Sequence, residues 1–142
     1  MALLDQLRRE PTPECLLALE EIADILSSHR RVTLLEYVAA KREKGELPTQ
    51  ISDAADVIAT EENGARYTSA ERKRVYVGLY QAHLPSLDEL DVLTFNPPGG
   101  EIDVGPEFDA VLHAIEQLDE IADRRRTVDE ERSNARKIEA DA

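Results

Sequence analysis

Tryptophan is absent, and two Phe with four Tyr bring aromatic content to only 4% of 142 residues. A core must therefore be assembled from Leu, Ile, Val and Ala, and a hydrophobic fraction of 42% is enough to fill one domain with helical extensions. The single cysteine excludes an intrachain disulfide and a cysteine-based zinc cluster; Cys15 reads as a small buried residue of the first helix. No run of about 18 apolar residues occurs, so nothing is suited to span a membrane. The opening Met1-Ala-Leu-Leu-Asp-Gln6 lacks the basic start and apolar centre of a signal peptide. A soluble, cytoplasmic protein is expected. Dinucleotide, P-loop, zincin and nucleophile-elbow motifs are all missing, so neither catalysis nor a cofactor is expected.

Lysine is scarce too. Of 17 basic residues 13 are Arg and 4 are Lys, against 30 acidic groups, and the net charge is −13. Such an excess of acid ordinarily argues against binding a polyanion. A Lys-poor acidic surface is, however, what a cytoplasm holding molar salt would favour. The Debye length there is about 3 Å, and a local basic patch can suffice. In an ordinary cytoplasm the objection keeps its force.

Charge is unevenly spread. Residues 65–84 carry 4 basic groups and 1 acidic, whereas residues 85–123 carry no basic group and 11 acidic. The positive stretch belongs to the segment that organises the chain, Thr68 to Phe95. Thr68 and Glu71 form a T-x-x-E capping box. Val75, Leu79, His83, Leu87 and Leu90 then follow at helical spacing, which predicts one long helix with a single apolar face. Arg72, Lys73 and Arg74 open its other face. His83 reads as a hydrogen-bonded core residue. Pro85 should kink the helix, because it cannot donate to the carbonyl of Gln81. Gly78 suggests a close approach to the backbone.

Upstream, Thr12-Pro13 predicts a helix to about Ser27, with Leu16, Leu19, Ile22, Ala23 and Leu26 as its apolar stripe. Ser28 caps the next helix, in which Val32, Leu35, Val38 and Ala39 face inward and which Gly45, after its last turn, stops. His29, Arg30 and Arg31 at its start oppose the helix dipole; they read as solvated surface, with an anionic partner as the sharper alternative. Leu47-Pro48-Thr49 reads as a short edge strand. Ile51, Ala54, Ala55 and Ile58 define a third helix of about ten residues. After Val92, two short strands flank the turn-rich tip Asn96 to Gly100, a wing hairpin without Lys or Arg. Asp109, His113 and Glu116 share a helical face, which reads as solvated acid rather than as a metal site. Phe108, Val111, Ile115, Leu118 and Ala122 alternate at spacings of 3 and 4. Their stripe is expected to pair with a second subunit or to fold back on its own domain, with pairing preferred. Beyond Arg125 the tail is expected to fray.

Three stretches together resemble an uncharacterised winged helix-turn-helix domain family widespread in haloarchaea. They are Leu26-Ser-Ser-His-Arg-Arg-Val-Thr-Leu-Leu35, Arg72 to Tyr76, and Tyr80-Gln-Ala-His-Leu-Pro-Ser-Leu87 followed by Asp91-Val92 and a strand. The resemblance spans about Ile22 to Val104 and implies a transcriptional regulator. The expected architecture is mainly α with a small β-hairpin: an N-terminal helical extension over 1–21, a winged helix-turn-helix domain over 22–105, and a C-terminal helix over 106–142. Double-stranded DNA is the expected partner, bound by a homodimer. Arg72, Lys73 and Arg74 would meet phosphates, and Val77, Tyr80 and Gln81 would reach base edges. Phe108, Val111, Ile115 and Leu118 would form the dimer seam. The competing expectation is a protein-interaction module that docks a partner through its acidic wing or C-terminal helix and binds no DNA.

Overall fold

A computed structural model describes residues 14–141. In chain order these form α1 (Leu19–Leu26), α2 (His29–Glu43), β1 (Thr49–Gln50), α3 (Ile51–Asn63), α4 (Ser69–Gly78), a π-helical turn (Leu79–His83), α5 (Leu84–Glu89), β2 (Leu93–Asn96), β3 (Glu101–Val104) and α6 (Phe108–Asp141). The fold is mainly helical, with one three-stranded antiparallel sheet ordered β1-β3-β2. No helix among the described residues is long and apolar enough to cross a membrane.

Local signals place most element ends. Ser28 Oγ accepts the Arg31 N–H at 3.3 Å and caps α2. Gly45, at φ +69°, follows the last turn of that helix. The expected hairpin forms, with Leu93 opposite Val104 and Phe95 opposite Ile102. Thr49 of β1 then pairs with Ile102 on the other edge of β3.

The first helix departs from expectation. Its proposed Thr12-Pro13 start lies outside the described residues; 14–18 are not helical, and α1 begins at Leu19. Leu16 and Leu19 are 91% and 77% exposed, and Cys15 is exposed rather than buried. Ile25 is the buried residue of α1, with Leu17 and Leu26 packed beside it. Packing against α2 selects that face, and a count of apolar residues cannot.

The long central helix is not uniformly α-helical. At its π-helical turn the Leu84 N–H reaches back five residues to the Leu79 carbonyl. Pro85, one residue on, has no N–H to donate, and the widened turn accommodates that loss. The inserted residue rotates the inner face. Leu84 is fully buried at its centre, whereas His83, expected there, is half-buried.

One core unites Ile25 of α1, Leu34, Leu35 and Val38 of α2, the inner faces of α3 to α5, and Leu93, Phe95 and Ile102 of the sheet. Phe108, Val111 and Ile115 belong to it as well, at 1%, 0% and 3% exposure. These three are therefore not a dimer seam, because α2 of the same chain already covers them. Arg42 of α2 fixes the arrangement: its guanidinium lies 4.8 Å from the Phe108 ring centre, and Nη1 donates to Asp109 Oδ1 at 2.7 Å. Leu118 is 49% exposed. Nor does the helix stop near Arg125. It continues to Asp141, supported by Arg124–Glu120, Arg126–Asp123 and Arg125–Asp129 ion pairs at helical spacing.

Candidate nucleic-acid interface

The front of α4 is built by its cap. The Glu71 N–H donates to Thr68 Oγ1 at 3.1 Å and the Thr68 N–H to Glu71 Oε1 at 2.9 Å. The Thr68 N–H, and then the Thr68 hydroxyl, hold the Glu71 carboxyl below its usual range. From that start Ser69, Ala70, Lys73, Arg74, Val77 and Gln81 are all exposed. Ser69, Lys73, Val77 and Gln81 succeed one another at four-residue steps, so they form a row along one side. Lys73 and Arg74 make no ion pair among the described residues and face solvent at the head of that row. Ser69 and Ala70 are additions to the expected set, legible in hindsight from the same spacing.

Two expected contact residues lie elsewhere. Arg72 is a strut between helices: Nε donates to Asp56 Oδ1 at 2.5 Å and Nη2 to the Ser52 carbonyl at 3.2 Å, both on α3. Tyr67 shares that carboxylate, donating from its hydroxyl at 2.9 Å. Arg72 and then Tyr67 hold Asp56 below the usual carboxylate range. Tyr80 is half-buried. Its ring stacks on Tyr76, centroids 6.4 Å apart, and meets Phe95 of β2 edge-on at 5.7 Å. A ring held between a helix and the sheet is not available to bases. Lys73, Arg74, Val77 and Gln81 are thus brought together, while Arg72 and Tyr80 support them from behind.

The hairpin brings no cation. Glu101 is exposed, and Asp103 Oδ1 accepts the Val104 N–H at 2.7 Å. A surface depression of about 490 Å³ between α2 and α3 is lined by charges of both signs, including Lys41, Lys44, Asp53 and Asp56. Among the described residues no group of three His, Cys, Asp or Glu could hold a metal ion, and Asp109 is already engaged by Arg42.

The basic start of α2 turns inward as well. Arg30 forms a two-pronged bond to Glu62 of α3 at 2.8 to 3.2 Å. Its Nη1 stands 2.9 Å from where a Cβ on Gly78 would lie, which identifies the close approach at that glycine. Arg31 donates from Nε to His83 Nδ1 at 3.0 Å and pairs with Asp24 at 3.5 Å. Because guanidinium only donates, His83 must be neutral with its proton on Nε2. Burial, and then the Arg31 and Arg30 charges, push the His83 pKa below the usual imidazole value, with Glu62 opposing. The unfolded chain therefore binds a proton first, and stability falls as the pH drops below about 6.5. Replacing His83 by Gln, which still accepts from Arg31, is expected to flatten the Tm against pH between about 6.5 and 5 relative to the parent. Parallel Tm profiles for the two proteins would refute this role of His83.

The family model for a domain of unknown function, DUF7344, matches residues 23–103, from α1 to the end of the hairpin. No curated protein and no solved structure matches the chain. Since the matched stretch is more than half of its length, the chain belongs to the DUF7344 family.

Proposed function

We propose that this chain is a winged helix-turn-helix transcriptional regulator that binds double-stranded DNA in a salt-rich cytoplasm. The observation that carries the reading is the exposed row on α4, with Lys73 and Arg74 at its head, making no ion pair among the described residues, in a stretch of net positive charge. Element order supports it. Helix, strand, helix, helix and hairpin follow in turn from α2 to β3, and β1 closes the sheet. Here α3 and α4 are the helix pair, and the β2–β3 hairpin is the wing. Lys73 and Arg74 contact phosphates, while Val77 and Gln81 face base edges and sugars in the major groove. Arg72 contributes indirectly, by fixing α4 on α3. The acidic wing leaves phosphate contact to the helix.

Selection from random duplexes followed by titration across potassium chloride concentrations tests the proposal. Lys73→Glu with Arg74→Glu is expected to abolish measurable binding at moderate salt. Changing both residues to Ala should lower the slope of log K against log salt by about 2, one per lost phosphate contact. Gln81→Ala should instead relax sequence preference, by up to the roughly 1–3 kcal/mol of one base-specific contact. The exposed, cation-free wing favours a second reading, a protein-docking module. If the parent retains no duplex, or the Glu variant binds as the parent does, α4 is not the reader and the docking module takes its place.

A further inference from the structure

Glu116 and Asp119 still border α2, but the distal part of α6 has no buried residue among those described. From Glu116 to Ala140 every residue is exposed, among them Leu118, Ile121 and Val128 at 49%, 59% and 43%. These three and Ala135 follow at steps of 3, 7 and 7, a coiled-coil seam interrupted by Arg125 and Arg132. Most helical stability in proteins comes from packing an apolar face rather than from propensity. Three exposed aliphatic side chains in line point to a covering partner.

Charge says which. Residues 116–123 hold four acids and no base, 124–126 are three Arg, 129–131 are three acids, and 132–137 hold three bases and no acid. Laid parallel and in register, two copies would oppose each block with itself. Laid antiparallel about a two-fold axis near Thr127, each block lies along one of opposite sign. The acids of 116–123 run beside the partner's Arg132, Arg136 and Lys137, and Arg124 to Arg126 run beside Asp129 to Glu131. Arg124 of one copy and Glu131 of the other flank the seam, while Leu118 meets Ala135 and Val128 packs on the aliphatic stem of Arg125.

We propose that the distal half of α6 is a self-association surface, whose partner is a second copy of this chain in antiparallel orientation. The domain's own core is not shared. The two copies of the α4 row are then carried on opposite ends of a two-helix rod.

The test uses the full chain under reducing conditions. Sedimentation equilibrium is expected to give twice the 15.9 kDa chain mass at tens of micromolar. Arg124→Glu, Arg125→Glu and Arg126→Glu together should weaken association at least tenfold. Adding Asp129→Arg, Glu130→Arg and Glu131→Arg to the same chain should restore it. Because the second set of changes also rebuilds the Arg125–Asp129 pair within the helix with its signs reversed, far-ultraviolet dichroism of both variants is read alongside, and the triple variant is expected to keep the parent's helix content. Spin labels on Lys137→Cys, in a Cys15→Ser background, should lie about 30 Å apart across the dimer, from 1.5 Å of rise per residue. A monomeric parent, a triple variant that associates as the parent does, a six-fold variant that stays monomeric, or labels within about 15 Å would each overturn the proposal.

Discussion

Replacing Ile115 by Asp is expected to unfold the domain at neutral pH. The side chain is 3% exposed and lies one helical turn from Val111, in the core shared with α2. Loss of a buried Ile costs about 2–5 kcal/mol before any charge is considered. A carboxylate without a partner then adds its desolvation, worth several kcal/mol or a raised pKa. The sum rivals the ~5–15 kcal/mol that holds an ordinary domain together. Leu118→Asp, one turn further and half exposed within its own chain, should cost the single domain less than about 1 kcal/mol at concentrations where the chain is monomeric. Urea midpoints for the two variants decide the matter. Equal midpoints would mean that α6 does not close the core.

Gly105→Ala should be the most damaging change that adds a single methyl group. A Cβ there would stand 2.3 Å from the Asp91 carbonyl oxygen and 2.8 Å from its carbon. Both atoms are backbone, so neither can swing aside. The chain leaving β3 would have to separate from the turn that enters β2. That movement would strain the Gly105 N–H bond to the Val92 carbonyl at 3.0 Å and the Glu107 N–H bond to the Asp91 carbonyl at 2.8 Å. About 3 kcal/mol is expected, the upper end of overpacking costs. Gly64→Ala is the control. Its φ of +86° with ψ of 174° strains any side chain, but nothing lies within 4 Å of the added atom, so only that strain, about 1–3 kcal/mol, should be lost. Should Gly105→Ala prove no worse than Gly64→Ala in urea, the close approach is not structural.

What could be read from the sequence was what a few neighbouring residues encode. The Thr68–Glu71 box, the Ser28 cap, the stop at Gly45 and the strands on either side of Asn96 to Gly100 all fall where local chemistry puts them. Choice of partner was not legible. Arg72 finds Asp56, 16 positions away, and so ceases to be a free cation. A stripe such as Phe108, Val111, Ile115 shows only that a face is buried; the same spacing serves a seam within a chain or between chains. Tyr80 failed for a related reason. Its exposure was inferred from an uninterrupted helix, and it lies within the π-helical turn, where it packs on Phe95. Lys73, Arg74, Val77 and Gln81 are exposed, as helical spacing alone implied for the side opposite Val75.

With no tryptophan to dominate its emission, this protein can be followed by tyrosine light alone. Three of the four phenols, Tyr67, Tyr76 and Tyr80, sit at or along the α4 segment, and the fourth, Tyr37, shares a 2.7 Å hydrogen bond with Thr49 of β1. Tyr67 donates to a carboxylate, an arrangement that quenches fluorescence through partial proton transfer in the excited state. Tyr76 and Tyr80 are near-coplanar neighbours whose coupled transitions should give a near-ultraviolet dichroism band. Anything that tilts α4 against α3 loosens the Asp56–Tyr67 bond and brightens the signal. Anything that shifts the helix on the sheet disturbs the coupled pair instead. The molecule thus carries two optical gauges of its own, reporting on different joints of one helix.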